Sequence, residues 1–371
     1  MEEIQDKAAK IADKLNDAAI SPIFERIRDV KRGEYSSEMY QKDVAEILKH
    51  SREVDKESRK LIRELYADLA FQNYLFAETF LKFRGIDYSF TADKFINGII
   101  DSVAEQTAGT FANLSNTTVI FMNNKPLNYN QAYTTAIDKA VYEMLSGTTD
   151  YYTAMRRTVD DLSQGLCIVN YESGYKRRLD TAVRQNVLDG AKQINNKLQK
   201  YYSQIYGADG VELSAHAISA PDHAPVQGRQ FSNAEFTKMQ SGLNCVDYEG
   251  REYEGFERPI GEWNCKHIAV PIILGVSKRI YDDETLEKYS ENSDKKYPLT
   301  QKQRAYELRL RQLKRLRLAY SKVGDETMAK ETQRKINITQ QNYRTFSAKA
   351  GLVYHPERGR VTGYRRVSVK E

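Results

Sequence analysis

Cysteine and histidine are scarce in this chain, three of one and five of the other among 371 residues. Cys167, Cys245 and Cys265 are too few, and odd in number, for a disulfide framework, so free thiols in a reducing compartment are expected. Long apolar runs are missing too. No window approaches the roughly 20 apolar residues of a membrane span, which excludes a helical membrane protein. The first stretch, MEEIQDKAAKIADKLNDAA, has neither the apolar core nor the cleavage site of a signal peptide, so the chain is expected to stay in the cytosol where it is made. There is no internal repeat and no low-complexity segment.

What is present is 40% apolar and 29% charged residues, a soluble composition with length enough for two or three domains. The net charge of +5 is unevenly spread. Residues 299–371 hold 7 Lys and 11 Arg against 6 acidic residues, a net of +12 that leaves −7 for residues 1–298. Attraction to a polyanion would be strongest at the C-terminal end. The 25 tyrosines supply amphipathic faces of the kind favoured at interfaces or at the margin of a core.

Along the chain, apolar residues at three- and four-residue spacing predict helices through the first 90 positions: Val44, Ile47, Leu48, then Leu61, Ile62, Leu65, Leu69. Ser36 or Ser37 would cap the first and Asp55 a second. Gly85 would end the helical run and Thr91 would cap the next helix, from about Ala92 to Ala112. TTVIFMNNKPLNYNQ reads as a short strand or extended loop with a turn at Asn123, Asn124 and Pro126. Helices are expected again over 129–146, through YYTAMRRTVDDL, and along the stripe Leu179, Val183, Val187, Ala191, Ile194, Leu198. Arg178, Arg184, Lys192 and Lys200 on the opposite face suit a solvated surface. From Gly207 short apolar bursts (GVELSAH, QGRQF, HIAVPIILG) between Gly, Pro and His predict short strands and ordered loops. A helix from Leu299 to Val323, a break at Gly324, a second helix and an extended arm or short hairpin complete the chain.

Three of the five histidines (His216, His223, His267) and two of the three cysteines (Cys245, Cys265) fall between residues 214 and 267. Three readings are open. As a metal site, His216, His223, Cys265 and His267 would supply the nitrogen and sulfur donors zinc prefers, with Cys245 in reserve. The spacing, His-x6-His and then Cys-x-His, departs from the usual paired arms. As a catalytic centre, Cys265 would be the nucleophile, His267 or His223 its base and Asp222 the orienting group, without an oxyanion-hole signature. As a structural knot, the His and Asp side chains would satisfy buried backbone groups in a Pro- and Gly-rich loop, the reading the composition favours. No cofactor is demanded by any motif, and a structural zinc is the one candidate.

Residues 301–318 form a second concentration. Lys302, Arg304, Arg309, Arg311, Lys314, Arg315 and Arg317 stand against one acid, Glu307. Tyr306, Leu310, Leu313, Leu316 and Tyr320 provide an apolar stripe to pack the helix. A solvated helix packed by that stripe is one reading; because like charges three and four residues apart repel, contact with DNA phosphates or an acidic protein partner is the other, and any DNA contact would be of the backbone, sequence-independent kind.

At RLDTAVRQNVLDG (178–190), GADGVELSAHAISAPDHAPVQGRQFS (207–232), RPIGEWNCKHIAVPIILGVS (258–277) and LTQKQRAYELRLR (299–311) the chain resembles the phage minor capsid protein 2 family, akin to the head-morphogenesis proteins typified by protein F of phage Mu. The likeness runs over nearly the whole chain. It implies a structural protein of a tailed phage or prophage, made in the bacterial cytoplasm and carried in the virion at the portal vertex or head interior. Partners would be the portal protein, the major capsid or scaffold protein and packaged DNA. The implied action is in head assembly and DNA packaging or delivery. His216, Asp222, His223, Cys265 and His267 match the family's motif positions, with Gln227, Gly228 and Asn264 alongside as structural motif residues; no catalytic role comes with them. NCVDYEGREYEGF (244–256) looks like an insertion between the motif halves. The expected fold is α+β and predominantly helical: a helical portal- or scaffold-binding region (1–90), a helical head-morphogenesis core (91–206), a compact α+β motif block (207–284) and a basic helical C-terminal region with an extended tail (285–371). The rival is an enzyme, either a zinc-dependent hydrolase using the His/Cys set or a toxin-like effector carried in the head.

Overall fold

The structure is a computed structural model that describes residues 37–83, 85–87, 90, 93–122, 125–127, 151–163, 167–170, 176–255, 258–261, 265 and 267–365, with positions 7, 10, 11, 13, 14, 17, 21, 24, 25 and 28 of the N-terminal segment. The helix expected over 129–146 lies outside these residues. The chain divides into two compact units, each assembled from distant segments: Met1–Leu61, Ala108–Asn186 and Gln303–Glu371 form one, Ile62–Thr107 and Val187–Lys302 the other. As expected, the architecture is α+β and predominantly helical.

The part of α1 (Ser37–Phe83) that belongs to the second unit, from Ile62 onward, buries Ile62, Leu65, Tyr66, Ala70, Ala77 and Leu81, an apolar stripe at helical spacing. α1 is one helix of 47 residues. Asp55 therefore sits inside it rather than capping a second helix, because no glycine or proline interrupts the backbone there. Gly85 ends the run as expected, at φ 66° with its N–H on Lys82 O. The next helix, α2 (Lys94–Thr117), is capped by Asp93, whose Oδ1 accepts from the N–H groups of Phe95 and Ile96. Thr91, the expected cap, lies outside the described residues. The Tyr66 hydroxyl bonds Thr107 Oγ1 (3.0 Å) and donates to the Val187 carbonyl (3.1 Å). It thereby ties α1 and α2 to a further helix, Leu179–Tyr206, numbered α4 below.

The first unit carries a four-stranded antiparallel sheet in the order β2-β1-β3-β4. β1 (Thr118–Met122) is the short strand expected there; Pro126, expected in the turn, is instead paired with Phe121 in β2 (Lys125–Leu127), and Asn123 and Asn124 lie outside the described residues. A helix, α3 (Tyr151–Ser163), intervenes before β3 (Cys167–Asn170) and β4 (Lys176–Arg178). The last two strands, four and three residues long, were not expected from the sequence; β3 is held by the distant β1 and β4 by its neighbour β3.

α4 follows β4 directly. In it Val187, Ala191, Ile194 and Leu198 are buried as the stripe requires. Strands β5 (Gly210–Leu213), β6 (Gln230–Ser232) and β9 (Ala269–Ile272) form a three-stranded antiparallel sheet with β5 in the middle. The short helix α5 (Asn233–Gln240) is capped by Ser232, and the hairpin of β7 (Cys245–Val246) and β8 (Glu252–Tyr253) follows. Val211, Leu213, Val226, Phe231, Met239, Cys245 and Ile260 make the core beneath this sheet.

α6 (Asp283–Val323) begins 16 residues before the expected start, with Asp282 accepting from the Thr285 N–H, and runs through Pro298. A proline removes one helical hydrogen bond without necessarily ending the helix. In its C-terminal half Leu310 and Leu313 pack with Ile336 and Tyr343 of α7 (Glu326–Lys349), and Tyr306, Tyr354 and Tyr364 close the cluster. The tail expected as an arm or hairpin instead folds back over these helices. Gln303 donates to Val353 O (2.8 Å), Arg311 to Arg358 O (2.9 Å) and Lys314 to Gly359 O (2.5 Å), around a 3-10 turn at Pro356–Gly359.

Lys314 is buried at 8% exposure, and burial, helped by Arg360 and Arg311, pushes its pKa down to about 8. The unfolded chain, with a lysine pKa near 10.4, binds more protons between those two values, so stability must rise with pH across that interval. Between pH 8 and 9.5, before unfolded tyrosines begin to titrate, the wild type is expected to gain about 1–2 kcal/mol relative to Lys314→Met. Urea unfolding of both proteins at each pH measures it; parallel pH profiles would show that the amine is solvated.

Candidate functional site

The histidine-rich loop is delivered by the central sheet. β5 is prolonged by the Ser214 N–H on Ile268 O and the Ile268 N–H on Ser214 Oγ, both 2.9 Å, so the residues flanking β9 lie beside the start of the loop. On the other side the Gly228 N–H reaches Leu213 O at 2.9 Å. The loop between must turn back sharply, and the left-handed φ of 68° at Gly228 is where glycine is required. Ser219 anchors the loop to α6, its N–H donating to Ser293 Oγ at 2.9 Å.

Three of the expected side chains converge. Cys265 Sγ stands 3.2 Å from His223 Nδ1 and 3.4 Å from His267 Nδ1, and the three ligand atoms all lie within 4.8 Å of one another. All three residues are buried. The Cys-x-His spacing works because Cys265, His267 and Ile268 precede β9 and are not themselves in a strand. His216 is half-buried, its ring 4.9 Å from that of His267, outside the convergent set. Cys245, the reserve donor, lies instead in the apolar core on β7, where burial pushes its thiol pKa up. Both cysteines are free.

The surrounding polar groups hold the rings. His223 Nε2 donates to the Arg258 carbonyl at 2.7 Å, while the Arg258 guanidinium grips Asp222 through Nε (3.0 Å) and Nη2 (2.7 Å). Asp222 thus positions the segment that orients His223, rather than acting on the thiol. Gln227 Oε1 accepts from the His216 N–H (2.9 Å) and from His267 Nε2 (3.3 Å). Asn264 lies outside the described residues. Burial, aided by His216, His223 and Arg258, pushes His267 down to about 3, and burial also lowers His223, so both imidazoles are neutral near pH 7.

Two contributors were not legible in the sequence. Arg258 acts through a backbone carbonyl, which no residue type announces. Lys192 of α4, expected on a solvated face, is only 17% exposed along its side chain, and its pKa is lowered by burial against the opposing influence of Asp189 and Cys265. Within the insertion-like segment, residues 245–253 form the β7–β8 hairpin, built on Asp247, which accepts from the N–H groups of Glu249 and Arg251 and from the Tyr253 hydroxyl.

The seven basic residues of α6 divide by environment. Lys302, Arg304 and Arg309 are exposed. Arg311 and Lys314 hold the returning tail, Arg315 is paired with Asp13 at 2.6 Å, and Arg317 lies 5.5 Å over the Tyr364 ring. Arg311 through Arg317 thus have roles inside the first unit that account for much of the charge density.

A predominantly helical α+β chain with a buried His/Cys nest beside a small antiparallel sheet is the class of protein these features define. The profile of the phage minor capsid protein 2 family matches residues 35–348, and the chain belongs to that family. It is accordingly a phage minor capsid protein, a virion component that interacts with other virion components. No curated protein and no solved structure matches the chain. Among the described residues no helix is long and apolar enough to cross a membrane.

Proposed function

We propose that this protein acts at the portal vertex or head interior in head assembly and DNA packaging or delivery, as a structural component without enzymatic activity. Family membership over residues 35–348 is the observation that carries the reading. The +12 charge of residues 299–371 adds DNA to the portal and the capsid or scaffold proteins as a partner, through phosphate contacts that ignore sequence. Lys302, Arg304 and Arg309 are the exposed members of the basic helix and the residues of choice for that contact. The hydrolase and effector alternatives have less support. Cys265 and His267 are 3% and 6% exposed, and an imidazole held at about 3 is a poor general base at neutral pH.

Titrating labelled duplex DNA with the full chain at several salt concentrations tests the DNA contact. The wild type should bind DNAs of different sequence equally, and Lys302→Ala/Arg304→Ala/Arg309→Ala should flatten the slope of log K against log salt by about 2–3. An unchanged slope would remove these residues from the DNA contact; copurification with the portal protein tests the other partner.

A further inference from the structure

The hydrogen bonds around the nest fix where its protons are. The His216 backbone N–H can only donate, so the Gln227 atom it meets at 2.9 Å must be the amide oxygen. The same oxygen faces His267 Nε2 at 3.3 Å, so that nitrogen carries the ring proton and Nδ1 is a bare lone pair. The other amide atom, Gln227 Nε2, is buried without a hydrogen-bond partner among the described residues, so the amide's orientation is set by what its oxygen accepts. His223 repeats the arrangement. A carbonyl can only accept, so Nε2, at 2.7 Å from Arg258 O, is protonated and Nδ1 is bare.

Two bare Nδ1 atoms therefore face one sulfur, at 3.2 and 3.4 Å. A neutral thiol has one proton and can satisfy only one of them. Three electron-pair donors thus converge at one buried point, the arrangement of a cation's ligand set. We infer that His223 Nδ1, Cys265 Sγ and His267 Nδ1 are protein ligands of a zinc ion that locks the loop after β5 to the segment before β9. The two sulfur–nitrogen distances are close to those of a shared ion, since donors at about 2.0–2.3 Å from a tetrahedral zinc stand about 3.3–3.6 Å apart, and all three atoms lie within 4.8 Å of one another. The outer bonds match as well, since metal-bound histidines donate their other N–H to a carbonyl or carboxylate that fixes the tautomer. Neutral nitrogen plus sulfur donors select zinc over magnesium or calcium, which prefer oxygen. On binding, the Cys265 S–H proton leaves to solvent and the thiolate takes its place on the metal. His216 stands beside this set as a further imidazole.

Elemental analysis of the purified full chain, with cobalt(II) titration of the chelator-treated and still folded protein, tests the assignment. The expected result is one zinc per chain and, with cobalt, a sulfur-to-metal charge-transfer band with the intense visible bands of a tetrahedral site. That band should vanish in Cys265→Ser and persist in Cys245→Ser. Because Cys265→Ser removes a buried group and risks unfolding, His223→Gln is the second variant, expected to weaken cobalt binding at least tenfold while circular dichroism remains that of the folded chain. Folded wild-type protein that takes up neither zinc nor cobalt overturns the proposal and leaves a thiol–imidazole hydrogen-bonded knot. A thiolate band lost in Cys245→Ser rather than in Cys265→Ser overturns it equally.

Discussion

Gly228→Ala is expected to destabilise the protein by about 2–5 kcal/mol, the sum of a left-handed backbone forced on an L side chain and a methyl group driven into a packed neighbour. Gly228 has φ 68°, and a Cβ there would run into the Leu286 side chain of α6, itself 4% exposed. Its N–H also holds the loop to Leu213 O, and Gln227 just before it orients His267. Local expansion would therefore reach the nest directly. Gly250 separates the two contributions: its φ is 85° with nothing within 4 Å of an added Cβ, so Gly250→Ala should lose only the backbone part, about 1–2 kcal/mol. Urea unfolding of both variants is the measurement. Equal losses would mean that Leu286 moves aside and that packing at Gly228 is soft.

Asp13→Ala should cost about 3–5 kcal/mol, the range for breaking a buried ion pair from one side. Asp13 Oδ1 meets Arg315 Nη2 at 2.6 Å, the side chains are 5% and 9% exposed, and Asp13 Oδ2 accepts the Thr362 N–H at 2.9 Å. One carboxylate thus joins the N-terminal segment, α6 and the returning tail within the first unit. Removing it deprives a buried guanidinium of that countercharge and the Thr362 N–H of its acceptor. In the double variant Asp13→Leu/Arg315→Met most of the loss should return, because no charge then stays buried. A cost below about 1 kcal/mol for Asp13→Ala, the figure for solvated pairs, would show the pair to be exposed in solution.

The helical parts of the fold were readable because their information is local. The stripe Val187, Ala191, Ile194, Leu198 is buried in α4 as its spacing required, and Gly85 and Gly324, each at positive φ, end helices where they stand. The three bursts after Gly207 became β5, β6 and β9. Local signals failed where competing long-range contacts govern. Asp55 and Pro298 look like boundaries, yet α1 and α6 run through them. β3 and β4 exist by pairing with each other and with β1. The tail turns back because backbone carbonyls at Arg358 and Gly359 find donors on Arg311 and Lys314.

The crowding of histidine and cysteine between residues 214 and 267 belongs to the sequence, as do the basic C-terminal end, the predominantly helical α+β character and the family. These follow from residue type, order and spacing, which the chain carries before it folds. Only the tertiary structure separates Cys265, 3.2 Å from His223 Nδ1, from Cys245 in the apolar core. It also divides Lys302, Arg304 and Arg309 at the surface from Lys314 and Arg315 within. Which donors meet, and which charges reach water, depends on segments dozens to hundreds of residues apart, and that proximity exists only once the backbone has closed around them.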